Sequence, residues 1–110
     1  MPRKKKAVGP AEAADLLDGI AERVARADTS FELEYEISQA MRWFVATNNL
    51  EAVKLLNLIA LKYGLAGMRE EEMRYDYLKK VAKGLPPLDP ANEAQAVRTL
   101  AAELRAKLGR

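Results

Sequence analysis

The chain has 110 residues, 49% of them hydrophobic and 31% charged, with a formal net charge of +2. That balance fits one soluble folded domain and excludes a disordered chain, and no apolar run approaches the ~18–20 residues of a membrane-spanning helix. Cysteine and histidine are both absent, which removes disulfides, thiolate zinc sites and cysteine nucleophiles, together with the commonest general base and transition-metal ligand. Aromatic residues make up only 6% of the chain and glycines number six, which argues against a sandwich or barrel. No apolar stretch follows the basic start, so no secretory signal is expected. The expected location is the cytoplasm of a bacterium or of a phage-infected host.

Taken in chain order, residues 1–9 form a basic tail carrying Arg3, Lys4, Lys5 and Lys6 and no acid. Gly9-Pro10 then opens a helix over about 10–27, with Leu16, Ile20 and Val24 on one stripe and Leu17 and Ala21 beside it. After Asp28-Thr29-Ser30, the Thr29-x-x-Glu32 spacing reads as a capping box for a second helix over about 30–47. Its apolar stripe is Leu33, Ile37, Ala40, Met41 and Phe44, and Phe31, Tyr35 and Trp43 lie off it. Asn48-x-x-Glu51 opens a third helix, about 49–63, which is apolar nearly all round. A helix of that kind is expected to be buried on most sides, at the centre of the domain or shared with a neighbouring subunit. Gly64 reads as its stop.

A fourth helix spans about 69–83, acidic at its start (Glu70, Glu71, Glu72) and basic at its end (Lys79, Lys80, Lys83), an order that suits the helix dipole. Leu85-Pro86-Pro87-Leu88 makes a stiff connector, and Asp89-Pro90 starts a fifth helix over about 89–108. Its seam of Val97, Ala101, Leu104 and Leu108 is narrow. The fold class expected is therefore all-α, about five helices in a compact, oligomer-forming bundle. Three parts are predicted: a disordered tail at 1–9, a helical oligomerisation core at 10–84, and the connector with its C-terminal helix at 85–110. Val97, Leu104 and Leu108 are expected to dock a partner, with the last helix separable from the body.

The charge is distributed unevenly. The tail carries +4, residues 10–36 carry −6, and the chain beyond the tail sums to −2. Such a body has little bulk attraction for a polyanion, so any nucleic-acid binding is expected in Arg3, Lys4, Lys5 and Lys6, weak and indifferent to sequence. Arg42, Lys54 and Lys62 interrupt the central apolar stretch and are the weaker choice as phosphate contacts, because lysine on an apolar helix usually extends its amine to solvent.

Little in the chain can carry catalysis. Glu70, Glu71 and Glu72 occupy consecutive helical positions that fan over about 200° and cannot converge on one ion. Glu32, Glu34 and Glu36 read as an acidic helix start. Ser30 and Ser38 have no histidine to activate them, and no glycine-rich loop resembles a phosphate cradle. The reading is a protein that is not an enzyme and holds no cofactor or metal. One ankyrin-like fragment, Asn49 to Leu56, occurs once, and a single copy cannot build a solenoid.

The segment Asn49-Leu-Glu-Ala-Val-Lys-Leu-Leu-Asn-Leu-Ile-Ala-Leu-Lys-Tyr-Gly-Leu65 resembles part of phage small terminase subunits, where an alanine- and leucine-rich helix ends in lysine, an aromatic or histidine, glycine and leucine. Ala52, Leu55, Leu56, Lys62, Gly64 and Leu65 carry the resemblance, and a lysine-rich opening such as Pro2 to Lys6 is also common in that family. Many small terminases place a helix-turn-helix domain before this region. Here 48 residues with an acidic first helix stand there, so the resemblance implies a reduced form that holds DNA through its tail. It further implies a non-enzymatic ring of many copies that engages viral double-stranded DNA and regulates the large packaging subunit. The alternative is a helical small subunit or adaptor of another complex, for example a CRISPR effector small subunit or a phage regulator of a host enzyme. In either case the all-round apolarity of the third helix predicts self-association, with Trp43, Leu55, Leu58 and Ile59 at subunit contacts.

Overall fold

The computed structural model describes residues 9–68 and 76–109. They form five helices: α1 (Pro10–Ala25), α2 (Phe31–Ala46), α3 (Leu50–Ala66), α4 (Asp76–Gly84) and α5 (Pro90–Leu108). No strand occurs among the described residues, so the all-α expectation holds. The basic tail with Arg3, Lys4, Lys5 and Lys6 lies outside the described residues, as does the stretch 69–75 with Glu70, Glu71 and Glu72.

The centre of the fold is α1. Pro10 occupies its first turn, where a missing N–H removes nothing. Ala13, Leu17, Ile20 and Val24 recur at helical spacing, Ala14 and Ala21 lie alongside, and all six are fully buried. One side of α1 packs on α5 and the other on α2, and α3 packs on α2 in turn. The expectation that the third helix is central is therefore corrected. Its inner stripe, Ala52, Leu56, Ile59 and Tyr63, is buried, and its remaining leucines are surplus to the core.

The reading of the last helix as a separable docking element is also corrected. The contact between α1 and α5 is the most extensive in the fold. Ala94, Val97, Ala101 and Leu104 are all buried in the common core. Alanines on both helices allow their axes to approach closely, so a seam of few large side chains still closes tightly. Arg105 adds two surface ion pairs across the same contact, to Asp15 at 2.8 Å and Asp18 at 2.7 Å. These are solvated pairs and contribute little beside the packing. The peripheral helix is α4, which has no buried residue.

A polar node joins α3 to α5 over the end of α1. Lys62 on α3 forms an ion pair and hydrogen bond with Glu93 on α5, and only 5% of the Lys62 side chain is exposed. Tyr63 donates to the other oxygen of Glu93 at 2.8 Å, with the Val24 carbonyl 3.4 Å from the same hydroxyl. The backbone amide of Asp89 donates to Glu93 at 2.9 Å. Lys62 thus does not extend to solvent and is not placed to meet a phosphate. Burial pushes the Glu93 carboxyl up, but hydrogen bonds from Lys62, the Asp89 amide and Tyr63 outweigh it and hold the group below its ordinary value.

The two short connections end α1 and α2 in the same way. After α1, the Ala27 amide bonds to the Val24 carbonyl and the Asp28 amide to the Arg23 carbonyl, both at 2.9 Å. After α2, the Asn48 amide bonds to Val45 and the Asn49 amide to Phe44. This is the Schellman closure, and it requires a left-handed residue at its turn. Asn48 fills that position at φ 57°, which asparagine tolerates. Ala27 fills it at φ 54°, where its Cβ is strained. The expected Thr29–Glu32 capping box is absent. Ser30 is the N-cap of α2 and makes no side-chain cap bond, because the Asp28 carboxylate takes over the turn by accepting from the Ser30 amide at 2.8 Å. At α3 the cap is Asn49, which accepts from the Ala52 amide. The helix runs through Gly64 and stops at Gly67, where a Cβ would come within 2.6 Å of the Thr29 carbonyl oxygen.

Replacing Ala27 with glycine relieves the left-handed strain at no loss of contact. The variant should gain about 0.5–1 kcal/mol in chemical denaturation, after the added chain entropy of glycine is subtracted.

Acid should weaken the fold through two carboxylates. Hydrogen bonds from Ser30 and the Arg23 guanidinium hold Asp28 down to about 2 against the effect of burial, and Glu93 is also depressed. Groups depressed in the folded state stabilise it above their unfolded values of ~4 and lose that contribution as pH falls through the folded ones. The melting temperature should therefore fall between about pH 5 and pH 2.5, and the double variant Asp28→Asn, Glu93→Gln should lose less over that range than the parent.

Candidate assembly surface

The core stripes of α2 and α3 decide what is left outside. On α2, Leu33, Ile37, Ala40 and Phe44 turn inward at 4-3-4 spacing. On α3, Ala52, Leu56, Ile59 and Tyr63 do the same. Apolar residues at flanking phases pack partly against the core, and those on the far side face solvent or another chain. Phe31, Tyr35 and Val45 of α2 and Leu50, Leu58 and Leu61 of α3 are all exposed. Phe31 is 74% exposed and Leu61 44%. Single exposed apolar residues need no explanation, whereas several on two adjacent helices mark an interaction surface.

Between the start of α2 and the end of α3 lies an open groove of about 630 Å³. Phe31, Ala60, Leu61 and Leu65 supply apolar walls, Leu33 and Tyr63 belong to the core beneath, and Glu34, Thr29 and Asn57 make polar parts of the lining. The adjoining start of α2 is acidic, with Glu32 and Glu34 in its first turn. Hydrogen bonds from its own backbone amide and from Ser30 hold Glu32 below its ordinary value, so the carboxylate is charged at neutral pH. A second, smaller cavity of about 370 Å³ lies between the ends of α2 and α5, lined by Trp43, Thr47, Leu100 and Lys107 among others.

No family model, curated protein or solved structure matches this chain.

The residues assigned to subunit contacts separate into three groups. Leu58 faces out at 40% exposure. Trp43 and Leu55 are half-buried against the chain's own core, Trp43 at the cavity beside α5. Ile59 is 1% exposed and belongs wholly to that core, so its place at a subunit contact is corrected. Of the docking residues assigned to α5, Val97 and Leu104 are buried within the domain, a further correction, and Leu108 is exposed at the helix end. Sequence reasoning sets Phe31 and Tyr35 off the α2 stripe without assigning them to a contact, and gives no place in the interface to Val45, Leu50 and Leu61. The signal for the α3 pair was present: once the 52-56-59-63 stripe is taken as the inner face, Leu50 and Leu61 fall outside it. For Phe31 and Tyr35 the signal was their i, i+4 spacing off the α2 stripe.

Among the described residues no three carboxylates converge in a way that would hold a metal ion, and no helix is long and apolar enough to cross a membrane. Arg42 and Lys54 stand exposed on α2 and α3. The described residues together carry thirteen acids against eleven bases, a surface that repels a polyanion slightly overall.

Proposed function

We propose that this chain is a non-enzymatic assembly protein that forms a homo-oligomer through the outer face of α2 and α3 and carries its basic tail to double-stranded DNA, as a reduced small terminase subunit would. The observation that supports the reading is the exposed apolar surface of Phe31, Tyr35, Val45, Leu50, Leu58 and Leu61, on two helices whose inner faces already complete a core. The small terminase resemblance falls on residues 49–65, and those residues form α3, one of the two helices that carry this surface. The net negative body leaves Arg3, Lys4, Lys5 and Lys6 as the DNA contacts, and an oligomer multiplies the tails so that weak single contacts add by avidity. In the terminase form the partner is the large packaging subunit, and the cytoplasm of the infected host is the working compartment.

The adaptor reading shares the first half of this proposal and drops the DNA. It is favoured by the acidic start of α2 beside an apolar groove, a surface suited to a basic helix rather than to phosphate.

Light scattering on a sizing column at tens of micromolar should give a mass well above that of one chain. In a mobility shift at low salt, the full chain should retard double-stranded DNA of any sequence, with a log–log salt slope of at most roughly 3–4 per subunit. Removing residues 1–9 should abolish the shift and leave the mass unchanged. Equal binding by the truncated chain would move the contact to a body face with Arg42 and Lys54, and a monomer would remove the assembly reading altogether.

A further inference from the structure

We propose that two copies of this chain pair through the outer face of α2, antiparallel, across a two-fold axis at Ser38. The inference deepens the assembly reading above and rests on it, by giving one interface its helix, its direction and its contacts.

The spacing along α2 carries the inference. Phe31, Tyr35, Ser38, Arg42 and Val45 recur at 4-3-4-3, the spacing of a coiled-coil seam. At about 100° per residue they fall within an arc of roughly 80°, about 150° away from the middle of the buried stripe. All five are exposed, Tyr35 at 55% and Val45 at 61%. The helix already gives one stripe to the core, so this second seam is surplus to the single chain. Its centre is small. The Ser38 hydroxyl donates to the Tyr35 carbonyl at 2.8 Å, which satisfies it within the helix and lets Ser38 enter a dry contact where two helices approach closely.

The seam is nearly symmetric about Ser38. Phe31 and Val45 stand seven residues to either side, Tyr35 three before and Arg42 four after. An antiparallel pair with its axis at Ser38 therefore sets Phe31 of each copy against Val45 of the other, and Arg42 against Tyr35 and Glu34 of the other. Charge chooses this direction. The first half of α2 holds Glu32, Glu34 and Glu36 without a base, and the second half holds Arg42 without an acid. Arg23 takes Glu36, whereas neither Glu34 nor Arg42 has an ion pair among the described residues. The antiparallel pair gives each Arg42 guanidinium an opposing carboxylate and the face of a tyrosine ring. A parallel pair would set Arg42 against Arg42 and Glu34 against Glu34, a repulsion that works against that arrangement. In the antiparallel contact each residue meets its counterpart twice, so the interface closes on itself at two copies.

The absence of cysteine permits a direct test. On the axis Ser38 of one copy meets Ser38 of the other, so full-length Ser38→Cys chains should join through a symmetric disulfide under mild oxidation at micromolar concentration. Leu58→Cys, exposed on α3, is the control and should join about tenfold more slowly or less, because nothing holds its two thiols together. Arg42→Glu should raise the dissociation constant of the pair about tenfold or more with an unchanged helical spectrum, and adding Glu34→Arg should restore it to within about threefold. Positions 34 and 42 stand about 12 Å apart along one helix, so such a rescue acts between copies. Equal oxidation rates of the two cysteine variants, no loss with Arg42→Glu, or a loss that Glu34→Arg leaves in place overturns this inference. If the parent is still heavier than one chain, the assembly reading stands without it, and a monomeric parent removes both.

Discussion

The buried pair of Lys62 and Glu93 is the point at which three helices of this fold meet. α3 brings the amine, α5 brings the carboxylate, and Tyr63 fixes the free oxygen of that carboxylate beside the end of α1 at Val24. Taking either charge out of water alone is expensive, so neither α3 nor α5 can settle in another register without leaving one of them unpaired. A pair of this kind adds less to stability than to the choice among packings. The choice matters here because the contact between α1 and α5 is built largely from alanine, whose small side chains fill little space and specify little by shape. Ala13, Ala14, Ala21, Ala94 and Ala101 permit close approach; Lys62 and Glu93 tie the start of α5 to α3.

That division of labour explains which parts of the fold could be read from the sequence. The existence, order and type of the helices are legible because Pro10, Asn48 and Pro90 mark three starts and the apolar spacing is regular, although the cap of α3 is Asn49 and Asn48 closes α2. The position of α5 is not. Its seam of Val97, Ala101, Leu104 and Leu108 looks too narrow for a core helix when alanine is not counted as core, and the Pro86-Pro87 connector looks like a spacer. Counting Ala94 and Ala101 as core beside Val97 and Leu104 turns the same helix into a layer of the bundle. Lys62 departs from its expected place for a related reason. A lone lysine on an apolar helix normally reaches solvent, and nothing near it in sequence reveals a carboxylate arriving from position 93.

The third helix shows a different limit. Apolarity on all sides suggests burial at the centre of the domain or against a neighbouring subunit; within the domain one stripe of α3 suffices, and Leu50, Leu58 and Leu61 remain outside. The sequence places an excess of apolar surface on the second and third helices, and the structure changes which of their residues carry it. It is found on the outer faces of α2 and α3, beside a groove with acidic residues at one end, while α5 is committed to the core. Most of the exposed large apolar residues thus lie in the middle of the chain, on α2 and α3. At the other end of the fold, α5 completes the body against α1.

The most direct measurement is a double-mutant cycle on the buried pair, with unfolding followed in denaturant for Lys62→Met, Glu93→Gln and the two together. If the pair fixes the register of α3 and α5, each single change should lose about 3–5 kcal/mol, because each leaves a buried polar partner unmatched. The double variant should then lose less than the sum by roughly 1–3 kcal/mol. Single losses below about 1 kcal/mol that simply add would contradict the account, since they would mean that the alanine-lined packing holds α5 in place without the pair.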